Sequence, residues 1–359
     1  MKLIKTALIL LLSFSISGIY AQNYDAMKKD LETLKKDNES LQHRLDILEK
    51  GIDDITWFSR MQETAFVDKV FLTGPPPAKE KNPTGQGAGN PVKLWAYVFV
   101  PKGIDLTKKY PLIVFPHGGV HASMTTYYTH IIKELIAQQY IIVAVDYRGS
   151  TGYGEGFYKR IDYGGLENED VDASRQYMIE NYPFVDEDRV GIMGWSHGGQ
   201  ISLFNIFDHP DKYKVCYAGV PVSDLIARMG YKNNEYREIF SADYHLGKSA
   251  DQNVAEYKKR SPAWNAHKLK TPLLIHTNTN DEDVNVLEVE HLIKSLKAEG
   301  KKFEYEIFQD LPGGHSFDRL DTKKAREIRI KIYDFLAKYL NPPKRLKTLA
   351  DMNAAAYQK

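Results

Sequence analysis

Apolar residues first settle into a regular pattern at Met27, Leu31, Leu34, Leu41, Leu45, Leu48, Ile52 and Ile55, with Asn38 in step, at alternating spacings of four and three. This is a heptad seam with Leu31, Asn38, Leu45 and Ile52 at a, and Met27, Leu34, Leu41, Leu48 and Ile55 at d. The pattern predicts one coiled-coil helix over residues 23–56. Leucine at d with a single asparagine at a favours two parallel helices, because facing amides satisfy each other within the seam. Asp30 at g can meet Lys35 at e of a partner, and Arg44 can meet Glu49. A homodimer through residues 27–55 is the expectation; the alternative is a helix whose stripe packs on its own domain.

Beyond the seam the period changes. Strands are expected near 65–72 and 93–100, separated by the Pro- and Gly-rich stretch 74–91, which cannot hold regular structure. Short, wholly apolar runs follow at Leu112–Phe115, Ile141–Val145, Val190–Met193, Val215–Val220 and Leu273–Ile275, and another strand at Phe303–Phe308. Such runs suit parallel strands covered on both faces. Helical stretches near 126–138, 168–180, 197–207, 286–299 and 321–339 fall between or after them. Strand–helix alternation of this kind predicts a doubly wound, mostly parallel α/β sheet over residues 60–341. The polar, Ala-rich residues 342–359 are expected to form a flexible tail.

The first residues carry a different signal. Lys2 and Lys5 precede the apolar run Ala7–Leu12, and the stretch ends at Ile19-Tyr20-Ala21. A short basic region, a short apolar core and a small final residue describe a signal peptide over 1–21, so export to the periplasm or medium is expected. The alternative is an uncleaved membrane anchor. The balance of 48 basic and 47 acidic residues gives a net charge of +1 and no basic surplus for nucleic acid. Cys216 is the single cysteine, so the chain forms no internal disulfide; its apolar neighbours read as a buried strand.

Chemistry concentrates after these strands. Gly194-Trp195-Ser196-His197-Gly198-Gly199 follows the run Val190–Met193 and opens a helix, the context of a nucleophile elbow. Serine on so tight a turn needs small neighbours, which Gly194 and Gly198 supply. Its weak hydroxyl needs a base, and the base needs a carboxylate to fix its tautomer. His315, in the loop Pro312-Gly313-Gly314-His315, fits the base better than His276 or His291, which end a strand and sit inside a helix pattern. The loop after Leu273–Ile275 offers Asp281, Glu282 and Asp283, and spacing alone does not choose among them. Oxyanion donors are expected from the backbone N–H of His197 and from His117-Gly118-Gly119, which follows Leu112–Phe115. No cofactor and no metal ion enters this reading.

These residues resemble the prolyl oligopeptidase family of serine peptidases, on an α/β-hydrolase fold. The resemblance rests on His117-Gly118-Gly119, on Tyr147-Arg148-Gly149-Ser150-Thr151-Gly152-Tyr153-Gly154, on Gly191 to Gly199 around Ser196, and on Pro312-Gly313-Gly314-His315. It implies a triad of Ser196, His315 and Asp281. The family's Asp-x-x-Val before the helix selects Asp281 ahead of Val284, with Asp283 second because His276-Thr277 departs from the usual pair. It also implies a substrate pocket drawing on His117, Tyr153, Val222 and Leu225. Relatives carry an N-terminal β-propeller that screens substrates; the residues ahead of the core here are too few for one, so dipeptide release does not carry over. The expected activity is cleavage of small peptides through an acyl-enzyme. Carboxylic ester hydrolysis by the same triad is the alternative, and an inert coiled-coil scaffold is a third reading.

Overall fold

The computed structural model describes residues 2–80 and 82–357, those from 23 onward together with their side chains. The signal peptide expected over residues 1–21 lies outside the residues whose side chains are described. Among the described residues, no helix is long and apolar enough to cross a membrane.

One helix, α1 (Lys2–Met61), leads into eight strands: β1 (Ala65–Gly74), β2 (Val92–Pro101), β3 (Tyr110–Val114), β4 (Ile141–Asp146), β5 (Val185–Trp195), β6 (Val215–Gly219), β7 (Leu273–Asn278) and β8 (Glu304–Phe308). They form a single sheet in the order β1-β2-β4-β3-β5-β6-β7-β8. β1 and β2 pair antiparallel, as do β2 and β4, and every other pairing is parallel. This is the expected doubly wound, mostly parallel α/β-hydrolase sheet.

The helices are α2 (Thr129–Ala137), α3 (Glu155–Tyr158), α4 (Leu166–Asn181), α5 (His197–Asp208), α6 (Leu225–Tyr231), α7 (Asn234–Ser241), α8 (Val254–Lys259), α9 (Val286–Ala298), α10 (Lys323–Leu340) and α11 (Leu349–Ala356). Period-2 alternation along the strands divides the core into two layers. Leu112, Val114, Val143 and Val145 join α4, α5 and α9 on one face. Ile113, Ile142 and Ala144 join α2, α10 and α11 on the other. Both faces are covered, which is why the central strands read as unbroken apolar runs rather than alternating ones.

Two expectations change. Residues 342–357 of the expected flexible tail dock on the domain and include a helix. Leu346 and Met352 are buried against α2 and α10, Thr348 and Asp351 form a reciprocal capping box that starts α11, and the Tyr357 hydroxyl donates to Glu134 Oε1. Ala-rich, polar composition does not preclude order, because a few apolar anchors and a cap suffice to dock a short helix. The leading helix also runs past residue 56 into the body of the domain. Trp57 and Met61 are fully buried and Lys50 nearly so, whereas the whole seam from Met27 to Ile55 stays exposed. The helix therefore docks through the face opposite its leucines, and the alternative of a stripe packed on its own domain does not hold.

Candidate active site

Ser196 sits between β5 and α5 with φ 59° and ψ −122°, a left-handed backbone that costs a non-glycine residue energy. Its neighbours hold it there. The Ser196 N–H donates to Gly219 O at 2.9 Å, and its carbonyl accepts from Val222 N at 3.1 Å. The flanking glycines are required by space: a Cβ at Gly194 would stand 2.4 Å from Gly198 O, and one at Gly198 would stand 2.3 Å from Pro116 O. At Gly199 a Cβ would press on Pro221 and Gly219 of the neighbouring strand end, so α5 can approach the sheet only without one.

The loop after β3 lies directly against this elbow. A Cβ at Gly118 would be 3.0 Å from Trp195 O and 3.4 Å from the Ser196 Cβ. Gly119 has φ +89°, and its carbonyl accepts from His197 Nδ1 at 2.8 Å. The His197 ring is buried, stacks on Tyr163 at 3.9 Å, and brings Nε2 within 2.8 Å of Glu167 Oε2, a close approach that is not aligned as a hydrogen bond. The side chain following Ser196 thus braces the glycine loop.

Of the three acids in the loop after β7, Asp281 is the one hydrogen-bonded to the His315 ring. His315 Nδ1 lies 2.9 and 2.8 Å from the two Asp281 oxygens. Asp281 Oδ1 also accepts the backbone N–H of Asp283 and of Val284, each at 2.8 Å. An ionised carboxylate only accepts, so Nδ1 carries the proton and Nε2 keeps its lone pair, the tautomer a base needs. Asp283 stands 3.7 Å from Nε2 and is engaged elsewhere, with Arg228 at 2.9 Å and Lys232. Burial works against its charge, but Arg228, Lys232 and His315 together hold its carboxyl at about 2. Glu282, which no spacing argument selected, accepts the His315 backbone N–H at 2.9 Å. Gly314 makes room for it, since a Cβ there would meet Glu282 Oε2 at 1.9 Å. Asp281 and His315 are brought together; no hydrogen bond joins Ser196 Oγ to His315 among the described residues.

The expected pocket residues are placed otherwise. Val222 and Leu225 are buried in the core, where Val222 contributes its backbone to the elbow and Leu225 opens α6. Tyr153 stacks on Trp95 at 4.3 Å and spends its hydroxyl on Asp146. The His117 ring is buried between Tyr147 and Ser150, and burial pushes its pKa down to about 4. His117, Val222 and Leu225 are buried and Tyr153 is half-buried, so each packs against its neighbours in this structure. Apolar side chains in loops near a nucleophile are drawn into the core by the same area term that drives folding.

An open cleft of about 470 Å³ reaches Gly118. One wall is α1, through Asp46, Glu49 and Asp53; the other includes Tyr127, Tyr128 and Thr151. Asp53 accepts the backbone N–H and the hydroxyl of Thr126, which ties the helix to this rim. The Tyr147–Gly154 stretch proves to be scaffolding behind the glycine loop: the Tyr147 hydroxyl donates to His117 O, and Arg148 forms a buried two-pronged pair with Asp170 at 2.7 Å.

Residues 126–343, which contain Ser196, Asp281 and His315, match the model of the prolyl oligopeptidase family. The chain belongs to that family. An uncharacterized peptidase, YuxL, of Bacillus subtilis is 30% identical over 241 residues, 67% of this chain and 36% of the relative. Human dipeptidyl peptidase 8 is 30% identical over 226 residues, 60% of this chain and 24% of its own. The pig acylamino-acid-releasing enzyme is 28% identical, covering 68% and 34%. The chain thus spans between a quarter and about a third of the length of these relatives. A Pyrococcus horikoshii acylaminoacyl peptidase structure shares the fold with a TM-score of 0.63 at 22% identity, over 80% of this chain and 44% of that one.

Proposed function

We propose that this chain is a serine peptidase acting on small peptides through an acyl-enzyme. Ser196 Oγ attacks the scissile carbonyl and His315 Nε2 takes its proton. The N–H groups of His197 and of the Gly118-Gly119 loop stabilise the oxyanion. The tetrahedral intermediate collapses as His315 returns the proton to the leaving amine, and water repeats the sequence to release the acid. The observation that carries this reading is the His315–Asp281 hydrogen bond at 2.8 Å, which leaves Nε2 basic on a loop of the same fold that holds Ser196 in a left-handed elbow. The names of the relatives support peptide rather than other acyl substrates.

The test is labelling with a fluorophosphonate probe followed by a peptide library. Labelling lost in Ser196→Ala, with triad-dependent cleavage of peptides, is the expected result. Labelling without cleavage of any amide, but with turnover of matched esters, assigns an ester hydrolase instead. No labelling at all leaves the inert scaffold.

The same reading places the enzyme outside the cytoplasm, on the strength of Lys2, Lys5 and the run Ala7–Leu12. Sequencing the amino terminus of the protein recovered from the exported fraction tests it; a start at Gln22 is expected, and an intact Met1 in the membrane fraction assigns the anchor.

A further inference from the structure

α1 presents two faces with opposite fates. Lys50, Trp57 and Met61 are buried in the catalytic domain, and His43, Asp46, Asp53 and Asp54 are half-buried beside them. In the heptad frame these are positions f, b and c, which lie on the far side of the helix from a and d. The apolar seam consequently points away from the domain. Its exposure runs from 52% at Leu41 to 72% at Ile55, and Asn38 is exposed with it. A stripe of eight large apolar side chains on one helix is far more than scattered surface hydrophobes account for.

We propose that the seam is covered by a second copy of this chain, as a parallel, in-register, two-stranded coiled coil over residues 27–55, with the two catalytic domains on opposite outer sides of the coil. The occupant follows from the side chains along the seam. In parallel register Asn38 faces Asn38 of the second copy, so both amides are satisfied; an antiparallel partner would set each amide against a d-position leucine or isoleucine. Register also brings Asp30 opposite Lys35 and Arg44 opposite Glu49, two pairs of opposite charge flanking the apolar strip. The seam spans four heptads (27–55 is 29 residues), long enough for a stable pair. Because b, c and f are already committed to the domain, pairing through a and d needs no rearrangement of α1, and each domain keeps its own cleft beside its own helix. The proposal is independent of the catalytic reading.

The experiment is sedimentation or light scattering of the purified protein at micromolar concentration, with circular dichroism as a folding control. A dimer mass is expected. Leu34→Glu with Leu41→Glu and Leu48→Glu places like charges in the seam and should give a folded monomer that still reacts with the fluorophosphonate probe as wild type does. Leu31→Cys, at another a position, leaves Asn38 in place and reports orientation. Cys216 is fully buried, so mild oxidation should yield a covalent dimer through residue 31, which only the parallel register allows. A wild-type monomer at tens of micromolar overturns the proposal, as does a dimer that survives the triple substitution. Failure of Leu31→Cys to cross-link within a dimer overturns the parallel register. Binding of the monomer to anionic vesicles would assign the seam to a membrane surface instead.

Discussion

Lys50 Nζ lies 2.9 Å from Asp146 Oδ2, and both side chains are shut off from solvent. This pair joins α1 to the end of β4, behind the glycine loop. The other Asp146 oxygen accepts Met124 N–H at 2.6 Å and stands 3.6 Å from His117 Nε2, while Lys50 also donates to Met124 O. Gly152 admits the lysine stem: a Cβ there would come within 2.6 Å of Lys50 Cβ. One residue of the helix therefore pins both the 117–124 and the 146–153 loops.

Lys50→Met should destabilise the protein by about 3–5 kcal/mol, because it strands a buried carboxylate. The companion change Asp146→Asn in the same chain should recover part of that loss. Urea unfolding of the two single variants and the double variant measures the coupling. Burial opposes the Asp146 charge, but Lys50, His117 and the Met124 N–H outweigh it and hold its carboxyl below the usual range. Its contribution is thus present above the unfolded aspartate value and lost as pH falls through the folded one. In Lys50→Met that acid-side loss should move to higher pH; an unchanged profile would show that the pair does not set it.

Asp281→Asn should lower kcat by about three to four orders of magnitude, since an amide in that place imposes the wrong tautomer on His315. Asp283→Asn should cost far less, because Asp283 is paired with Arg228 and Lys232 rather than with Nδ1. Steady-state kinetics on one substrate compares them, and the reverse order would reassign the acid.

Most of the sheet and the turn at Ser196 were readable because both faces of a central strand and the crowding of a serine elbow leave local signatures. The strands at 112–115, 141–145 and 190–193 are apolar for that reason, and Gly194 and Gly198 announce Ser196. What was not readable depended on partners distant in sequence. Lys50 falls at a heptad f position, ordinarily solvent, and only Asp146, 96 residues on, explains its burial. Glu282 looked like a third candidate acid until the left-handed Gly313 and Gly314 turned the His315 N–H toward it. Val222 and Leu225 are apolar whether they line a pocket or fill a core, and nothing local separates the two. The docking of the tail is hidden for the same reason, since Leu346, Met352 and Tyr357 anchor it on residues far back in the sequence.

Acid should destabilise the fold before the carboxylates titrate. Burial lowers His117, His121 and His276 to about 4 and His245 further still, so these rings are neutral in the native state. The unfolded chain binds their protons near pH 6.5. Between that value and about 4 it carries more protons than the native state, so stability is complete above pH 6.5 and falls as pH drops. Each ring contributes about 1.4 kcal/mol per pH unit within that window. Urea midpoints between pH 7 and 5 should show the slope, and His276→Gln should remove one proton's share of it. A slope unaltered by that change would mean His276 titrates alike in both states.

Two glycines of similar standing in the sequence should answer substitution in opposite ways. Gly51 lies inside α1, and a Cβ there would meet nothing within 4 Å. Gly51→Ala should therefore stabilise the helix by about 1 kcal/mol through the backbone freedom the unfolded chain no longer has to lose. Gly198 also lies in a helix with an ordinary backbone, yet its added Cβ would stand 2.3 Å from Pro116 O and 2.8 Å from His117 O. Both obstacles are main chain, so no rotamer change relieves them, and either α5 or the glycine loop must move. Gly198→Ala should thus displace Gly118 from Ser196 and cut fluorophosphonate labelling sharply, with a lowered melting temperature as the structural sign of the same clash. Measuring both quantities for both variants separates local from global effects. Wild-type labelling in Gly198→Ala would mean that the loop can yield without disturbing the elbow, and that the contact between Gly118 and Ser196 matters less than its closeness suggests.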